Sequence, residues 1–264
     1  MPLIWAAISG HGYGHAAQVV PVLNALGSLV PDLTAILRTS VPASFFHDRL
    51  KIRWTMQSVQ QDIGCIQQGP LQIDVAGTWD AHDRFHEQWQ ERLKKEVDAL
   101  QAVRPRVILA DTPYLAISAG WEVGIPAVGL ANFLWNEVLE PLADSGLRRH
   151  HDLLADIRRC YGRAEHALRI APGLPLTAVS GVTDIGPIAE PALPRRGAIR
   201  AHLGIAESER LVLVGFGGVA LESLPWNAMA EMKGHCFIVD CEIPTRHPRM
   251  VAAADLPYPF KTLL

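Results

Sequence analysis

The chain has 264 residues, 49% of them hydrophobic and 19% charged, with a formal net charge of −3. This is length enough for one large or two modest domains with a sizeable core. The near-neutral charge and the lack of a basic block give no electrostatic reason to expect nucleic acid or an anionic membrane as partner. The four cysteines (Cys65, Cys160, Cys236 and Cys241) are scattered with no CxxC pair, which reads as a reduced, cytoplasmic protein with buried thiols. No apolar run approaches the ~18 residues of a membrane span, and no basic region precedes the N-terminal apolar stretch, so neither a span nor a signal peptide is expected.

Residues 3–8 have the length and composition of a buried strand. They break into Ser9-Gly10-His11-Gly12-Tyr13-Gly14-His15, after which Ala16, Val19, Val20, Leu23 and Leu26 recur at helical spacing. Strand, glycine turn and helix together make an α/β opening whose turn can hold a ligand, with free N–H donors at the helix N-terminus. Two imidazoles in that turn are unusual. Strands are expected at 33–37 and 53–59, with a short helix at 42–50 between them. Residues 60–79 read as an irregular stretch of the length that is often functional.

A single long helix is expected over 80–103, stopped by Arg104-Pro105. A buried strand at 106–110 ends in Asp111, a helix follows at 113–123, and a strand at 127–130 ends near Asn132. Helical segments from 134 and over 147–161 precede a short strand at 167–170. Residues 171–196 are punctuated by five prolines and form the best domain boundary. Beyond it the rhythm restarts: a helix at 197–203, a strand at 211–214, the turn Gly215-Phe216-Gly217-Gly218, a helix near 224–232 and a strand at 236–239. Residues 260–264 look like the first turn of another helix. Alternating strands and helices imply a doubly wound parallel α/β sheet followed by a partial second one, as domains 1–190 and 191–264, with ligands at the carboxyl ends of the strands.

A dinucleotide site fits poorly. The glycines are spaced GxGxG, and the second strand ends in Arg38 where an NAD site would carry an acidic residue. An arginine suits a 2′-phosphate, which leaves NADP open on that point, but two histidines in the turn suit neither cofactor. No lysine follows either glycine turn, so a phosphate loop of the NTPase kind has no support.

Three stretches, in this order, carry a resemblance: GHGYGHAAQVVPVLNAL, ADTPYLAISAGWEVGIPAVGLANFLWNEVLEPL and LVLVGFGGVALESLPW. They resemble glycosyltransferases of the two-Rossmann (GT-B) type, in particular the glycosyltransferase-like domain that precedes the kinase in plant L-arabinokinases and its bacterial relatives. The resemblance implies transfer of a sugar from a nucleotide-sugar donor, UDP-linked, to a hydroxyl acceptor, without a metal or other cofactor. It implies His15 as the base that takes the acceptor proton and Asp111 as its acidic partner. It also places Gly215, Gly217 and Gly218 on the donor diphosphate. Gly12, Gly14, His11 and Asn132 are the expected substrate-binding positions.

The chemistry stands beside the resemblance. A sugar hydroxyl is a poor nucleophile, a base titrating near neutrality helps it most, and an unperturbed histidine at about 6.5 is such a base. A carboxylate on its far nitrogen fixes the tautomer.

Plainer readings stay open. His15 could cap a turn, His11 is the alternative base, and Asp111 could cap the following helix as Asp-Thr-Pro. His82 and His86 share a helix face but lack a third ligand, and read as a solvated or loop-packing face. His150 and His151 read as an exposed face, and Trp79, Phe85 and Trp89 as core or as a stacking surface for a sugar. From Pro191 only about seventy residues remain, roughly half of a nucleotide-binding domain. That leads to the expectation of an incomplete donor domain, weak or no activity, and self-association through an uncovered sheet. A sugar-binding module completed by a partner, an epimerase-like protein and a fragment with no ligand are the competing readings.

Overall fold

The computed structural model describes residues 1–69, 72–189, 195–215, 224–245 and 247–258. Contacts divide the chain into two compact units, one of Met1–Ile66 with Ile73–Ala189 and one of Gln67–Gln72 with Glu190–Leu264.

The first unit is built on a seven-stranded sheet in which every pairing is parallel. Its strands are β1 (Leu3–Ile8), β2 (Thr34–Thr39), β3 (Arg53–Ser58), β4 (Val107–Asp111), β5 (Ala127–Ala131), β6 (His166–Ile170) and β7 (Val182–Ile185). They lie in the order β3-β2-β1-β4-β5-β6-β7, so the winding reverses between β1 and β4. A crevice opens there at the carboxyl ends, where doubly wound folds bind ligands. Alternation along β1 supplies both faces of the sheet. Trp5 and Ala7 enter one apolar cluster, and Ile4, Ala6 and Ile8 enter the other.

The helices of this unit are α1 (Gly14–Leu29), α2 (Ser44–His47), α3 (Val75–Glu87), α4 (Trp89–Val103), α5 (Leu115–Val123), α6 (Trp135–Leu139) and α7 (Arg148–Tyr161). α1 and α2 cover the second cluster, and α3 to α7 the first. The single helix expected over 80–103 is two helices. It begins earlier because Asp74 accepts the Gly77 N–H at 2.8 Å and caps α3. It breaks at Gln88, and the bend stacks His86 on Trp89 with ring centroids 5.2 Å apart. Arg104, at φ 46, ends α4 in the left-handed region ahead of Pro105. The strand β7 lies inside the proline-punctuated stretch, where its exposed, edge-like composition gave no apolar signal.

The aromatic residues of α3 and α4 are core. Trp79 and Phe85 are buried in the first cluster, with Trp89 packed against it. His150 is buried as well, contrary to the exposed face expected of it, because it stacks on Trp79 with centroids 3.9 Å apart. His151 does face solvent. His82 is fully buried rather than solvated. Burial and its neighbour His86 lower its pKa to about 4, and burial lowers that of His86 to about 4.

These two histidines predict an acid weakness. In the unfolded chain each protonates near 6.5, whereas in the folded chain each resists protonation until about 4. Stability is therefore intact above 6.5 and lost as pH falls toward 4, by about 3 kcal/mol per histidine at the limit. Urea unfolding at pH 7.5 and pH 5 should show the loss, and His82→Phe should reduce it. A pH-independent midpoint across that window would refute the assignment.

The second unit, among the described residues, carries a parallel sheet of β8 (Arg210–Val214), β9 (His235–Val239) and β10 (Met250–Ala252) in the order β10-β9-β8. The helices α8 (Arg196–Leu203) and α9 (Trp226–Glu231) accompany it. Two small apolar clusters, one around Ile199 and Ile238 and one around Met229 and Phe237, form its core. Residues 260–264, expected to start a further helix, lie outside the described residues. All four cysteines are free, and Cys65, Cys160 and Cys236 are buried. Among the described residues no helix is long and apolar enough to cross a membrane.

Candidate active site

The turn 9–15 leaves the carboxyl end of β1 at the point where the sheet reverses. Gly12 takes φ 77, a conformation that a side chain would strain, and its N–H donates to the Gly10 carbonyl at 3.0 Å. The turn exposes Gly12, Tyr13 and Gly14 and buries His15 in the first turn of α1. Next to it, β4 ends in Asp111, which has no exposed surface. The two meet: His15 Nδ1 lies 3.0 Å from Asp111 Oδ1.

With the carboxylate oxygen accepting, Nδ1 carries the proton and Nε2 is the basic nitrogen. Nε2 is bonded to none of the described residues. Burial alone would lower the His15 pKa. The Asp111 carboxylate works against it through its charge and its hydrogen bond, Asp62 adds to the push, and together they raise the pKa above 6.5. Asp111 itself is pushed up from the ordinary carboxylate range by burial, while His15 and Thr112 pull the other way. Asp111 does not cap the helix that follows. α5 starts at Leu115 behind Tyr114 with no side-chain cap, and the bonded oxygen of Asp111 faces His15 and Thr112.

A second buried carboxylate stands at the same crevice, and no sequence signal marked it. Asp62 accepts the Ser9 hydroxyl at 3.0 Å and the Trp135 indole N–H at 2.7 Å. Burial raises its pKa, and Trp135, His15 and Ser9 offset part of the rise. Its only advance notice was its place in a long irregular connection after β3. That connection is pinned to the glycine turn at a second point, where His11 Nε2 lies 2.9 Å from the Cys65 carbonyl oxygen. A Cβ at Gly64 would run into the His11 ring, so only glycine permits this approach. Trp135, at the start of α6, sets its ring edge-on to His11, with centroids 5.4 Å apart, and 6.4 Å from that of His15. Phe133 closes on His15 from the same segment at 5.7 Å.

Of the expected substrate-side residues, the structure brings His11, His15 and Asp111 to one crevice. Asn132 stands half-buried at the end of β5. Its carbonyl accepts the Leu174 N–H at 2.7 Å, and its side chain is bonded to none of the described residues. Arg38 is not a ligand-binding cation. It is buried beneath the sheet's end, paired with Glu96, bonded to Gln57 and laid over the Trp5 ring at 4.8 Å. It has no charge to spare for a 2′-phosphate.

In the second unit, Gly215 follows β8 directly at the carboxyl end of that sheet. Gly217 and Gly218 lie outside the described residues. At the carboxyl ends of β9 and β10 there is a cavity of about 900 Å³ lined by Asp240, Glu242, His247, Met250 and Asp255 among others.

Comparison with known proteins agrees with this architecture. No family model matches the chain. It is 26% identical over 213 residues to an L-arabinokinase of Arabidopsis thaliana, an alignment covering 80% of this chain and 20% of the plant protein. It therefore spans about a fifth of that relative's length. Among solved structures it is similar to Phytolacca americana UGT2 complexed with UDP-2-fluoro-glucose and pterostilbene, with a TM-score of 0.55 and 17% identity over 90% of this chain and 66% of that one. It is also similar to the glycosyltransferase of kitacinnamycin, with a TM-score of 0.58 and 18% identity over 97% of this chain and 72% of that one. A UDP-glucosyltransferase from Polygonum tinctorium gives a TM-score of 0.56 at 13% identity, over 90% of this chain and 64% of that one. The chain has the fold of the GT-B glycosyltransferases.

Proposed function

We propose that this chain transfers a sugar from a UDP-linked donor to a hydroxyl acceptor. The reading is carried by one observation, the His15–Asp111 pair at 3.0 Å in the crevice where the first sheet reverses. In this reading Nε2 of His15 takes the acceptor's proton as its oxygen attacks the anomeric carbon. Asp111 keeps the proton on Nδ1 and stabilises the imidazolium that forms. The oxygen–sugar bond forms as the bond to the diphosphate breaks, so the product anomer is inverted. The charge growing on the leaving diphosphate is met without a metal, by backbone N–H groups at Gly215, Gly217 and Gly218. Gly12, Gly14, His11 and Asn132 contact the acceptor.

Two features support the donor assignment. One similar structure holds UDP-2-fluoro-glucose, and the cavity beside β9 and β10 lies where a parallel sheet binds its ligand. Calorimetric titration with UDP and a panel of UDP-sugars tests it, with saturable heat for UDP expected. No heat with any of them would end both the transferase reading and that of a nucleotide-sugar binding module. Binding without transfer or donor hydrolysis would favour the module. A product of retained anomeric configuration would rule out the single displacement.

A further inference from the structure

Thr112, the residue after Asp111, has φ 74. A β-branched side chain in the left-handed region is a true backbone outlier. Such strain persists only where the surroundings over-determine it, and it gathers at functional sites. What holds Thr112 is visible. Tyr161, the last residue of α7 and wholly buried, donates its hydroxyl to the Thr112 carbonyl at 2.6 Å. The same hydroxyl oxygen accepts the Trp135 backbone N–H at 3.3 Å, which fixes where it points. On its other side, Thr112 donates its own hydroxyl to Asp111 Oδ1 at 3.2 Å and lies 3.2 Å from Nδ1 of His15.

We propose that Tyr161 is a positioning residue: its hydroxyl latches Thr112 in the left-handed conformation and thereby sets the Asp111 carboxylate against Nδ1 of His15. Any carbonyl would satisfy a buried tyrosine hydroxyl. Here the carbonyl belongs to the strained residue beside Asp111. Relaxation of Thr112 to negative φ would rotate the peptide that joins it to Asp111, and with it the strand end from which the carboxylate projects. The proposal rests on the reading of His15 and Asp111 as the catalytic pair.

The test reads the His15 ring directly, by nitrogen-15 NMR on the full chain, and needs no substrate. The groups facing that ring are Asp111 from β4, Asp62 from the connection after β3, and the rings of Phe133 and Trp135. Tyr161→Phe should erase the downfield Nδ1 proton and move the His15 titration down by about half a unit or more. Thr112→Gly in the same background should restore both, because glycine holds positive φ without strain. A folded Tyr161→Phe with an unchanged His15 ring overturns the latch. Thr112→Gly alone should keep the wild-type ring signals, and their loss there would show that the side chain and not the backbone sets Asp111, which also overturns it.

In a transfer assay, Tyr161→Phe should lower kcat roughly 10- to 100-fold with KM unchanged. A ring that responds as expected in a chain without transfer activity would leave the latch standing and count against the transferase reading alone.

Discussion

Replacing His15 by alanine is expected to lower sugar transfer by about 10²- to 10⁴-fold, the usual contribution of a positioned general base. UDP binding, measured by calorimetry, should be unchanged, because in the proposed reading the donor is held by the second unit. The pH dependence adds an independent check. A base works in its neutral form, and the Asp111 carboxylate holds the His15 pKa above 6.5 against the opposing effect of burial. The rate should therefore climb with pH through a midpoint above 6.5.

Asp111→Asn removes the charge that raises the pKa, so the rising limb should move to lower pH. The plateau should also fall, because the imidazolium loses its counter-charge and the tautomer is no longer fixed. Activity that survives His15→Ala would take His15 out of the mechanism and leave His11 to be tested as base. A rising limb that stayed in place in Asp111→Asn would mean that the pair does not titrate as a unit.

The fold was legible because its signals are local. Apolar runs bounded by turns located most of the strands, and the rhythm of strand and helix implied a parallel sheet. What failed lacked a local signal. β7 is an exposed edge strand, β10 is three residues long, and the break at Gln88 falls at no helix-breaking residue. The candidate site divides the same way. The turn around His15 announces itself through its glycines. The link to Asp111 spans 96 positions, and it was inferred from resemblance. Asp62 and Trp135, 73 positions apart, carry no residue-level signal in the sequence, because the bond between them exists only in the folded chain.

Glu96 presents the same lesson as an energy. In the sequence Arg38 suits a phosphate, because it stands near the carboxyl end of a strand; its partner lies 58 positions away on α4. Glu96 is 1% exposed, and its carboxylate receives Arg38 and, at 2.8 Å, the indole N–H of Trp5. Glu96→Ala would leave a buried guanidinium and a buried indole N–H without an acceptor. Breaking a buried pair from one side costs about 3–5 kcal/mol, which for a unit of this size is a fall in Tm of roughly 6–20 °C. Glu96→Gln should cost less, since its amide oxygen still accepts from Trp5.

The double change Arg38→Met with Glu96→Leu should cost less than Glu96→Ala, because removing both charges also removes the cost of having desolvated them, and what is left is the unpaired indole N–H of Trp5, about 1–3 kcal/mol. Thermal and urea unfolding of the wild type, Arg38→Met, Glu96→Leu and the double variant forms a double-mutant cycle. A coupling below about 1 kcal/mol would mean that the pair is solvated in solution, as exposed pairs are. In that case Arg38 would again be free to meet a phosphate at the end of β2, and NADP binding would have to be tested. A large coupling closes that route, because a guanidinium held by Glu96 and Gln57 over Trp5 could turn to a ligand only by giving up the contacts that keep the core of the first unit intact.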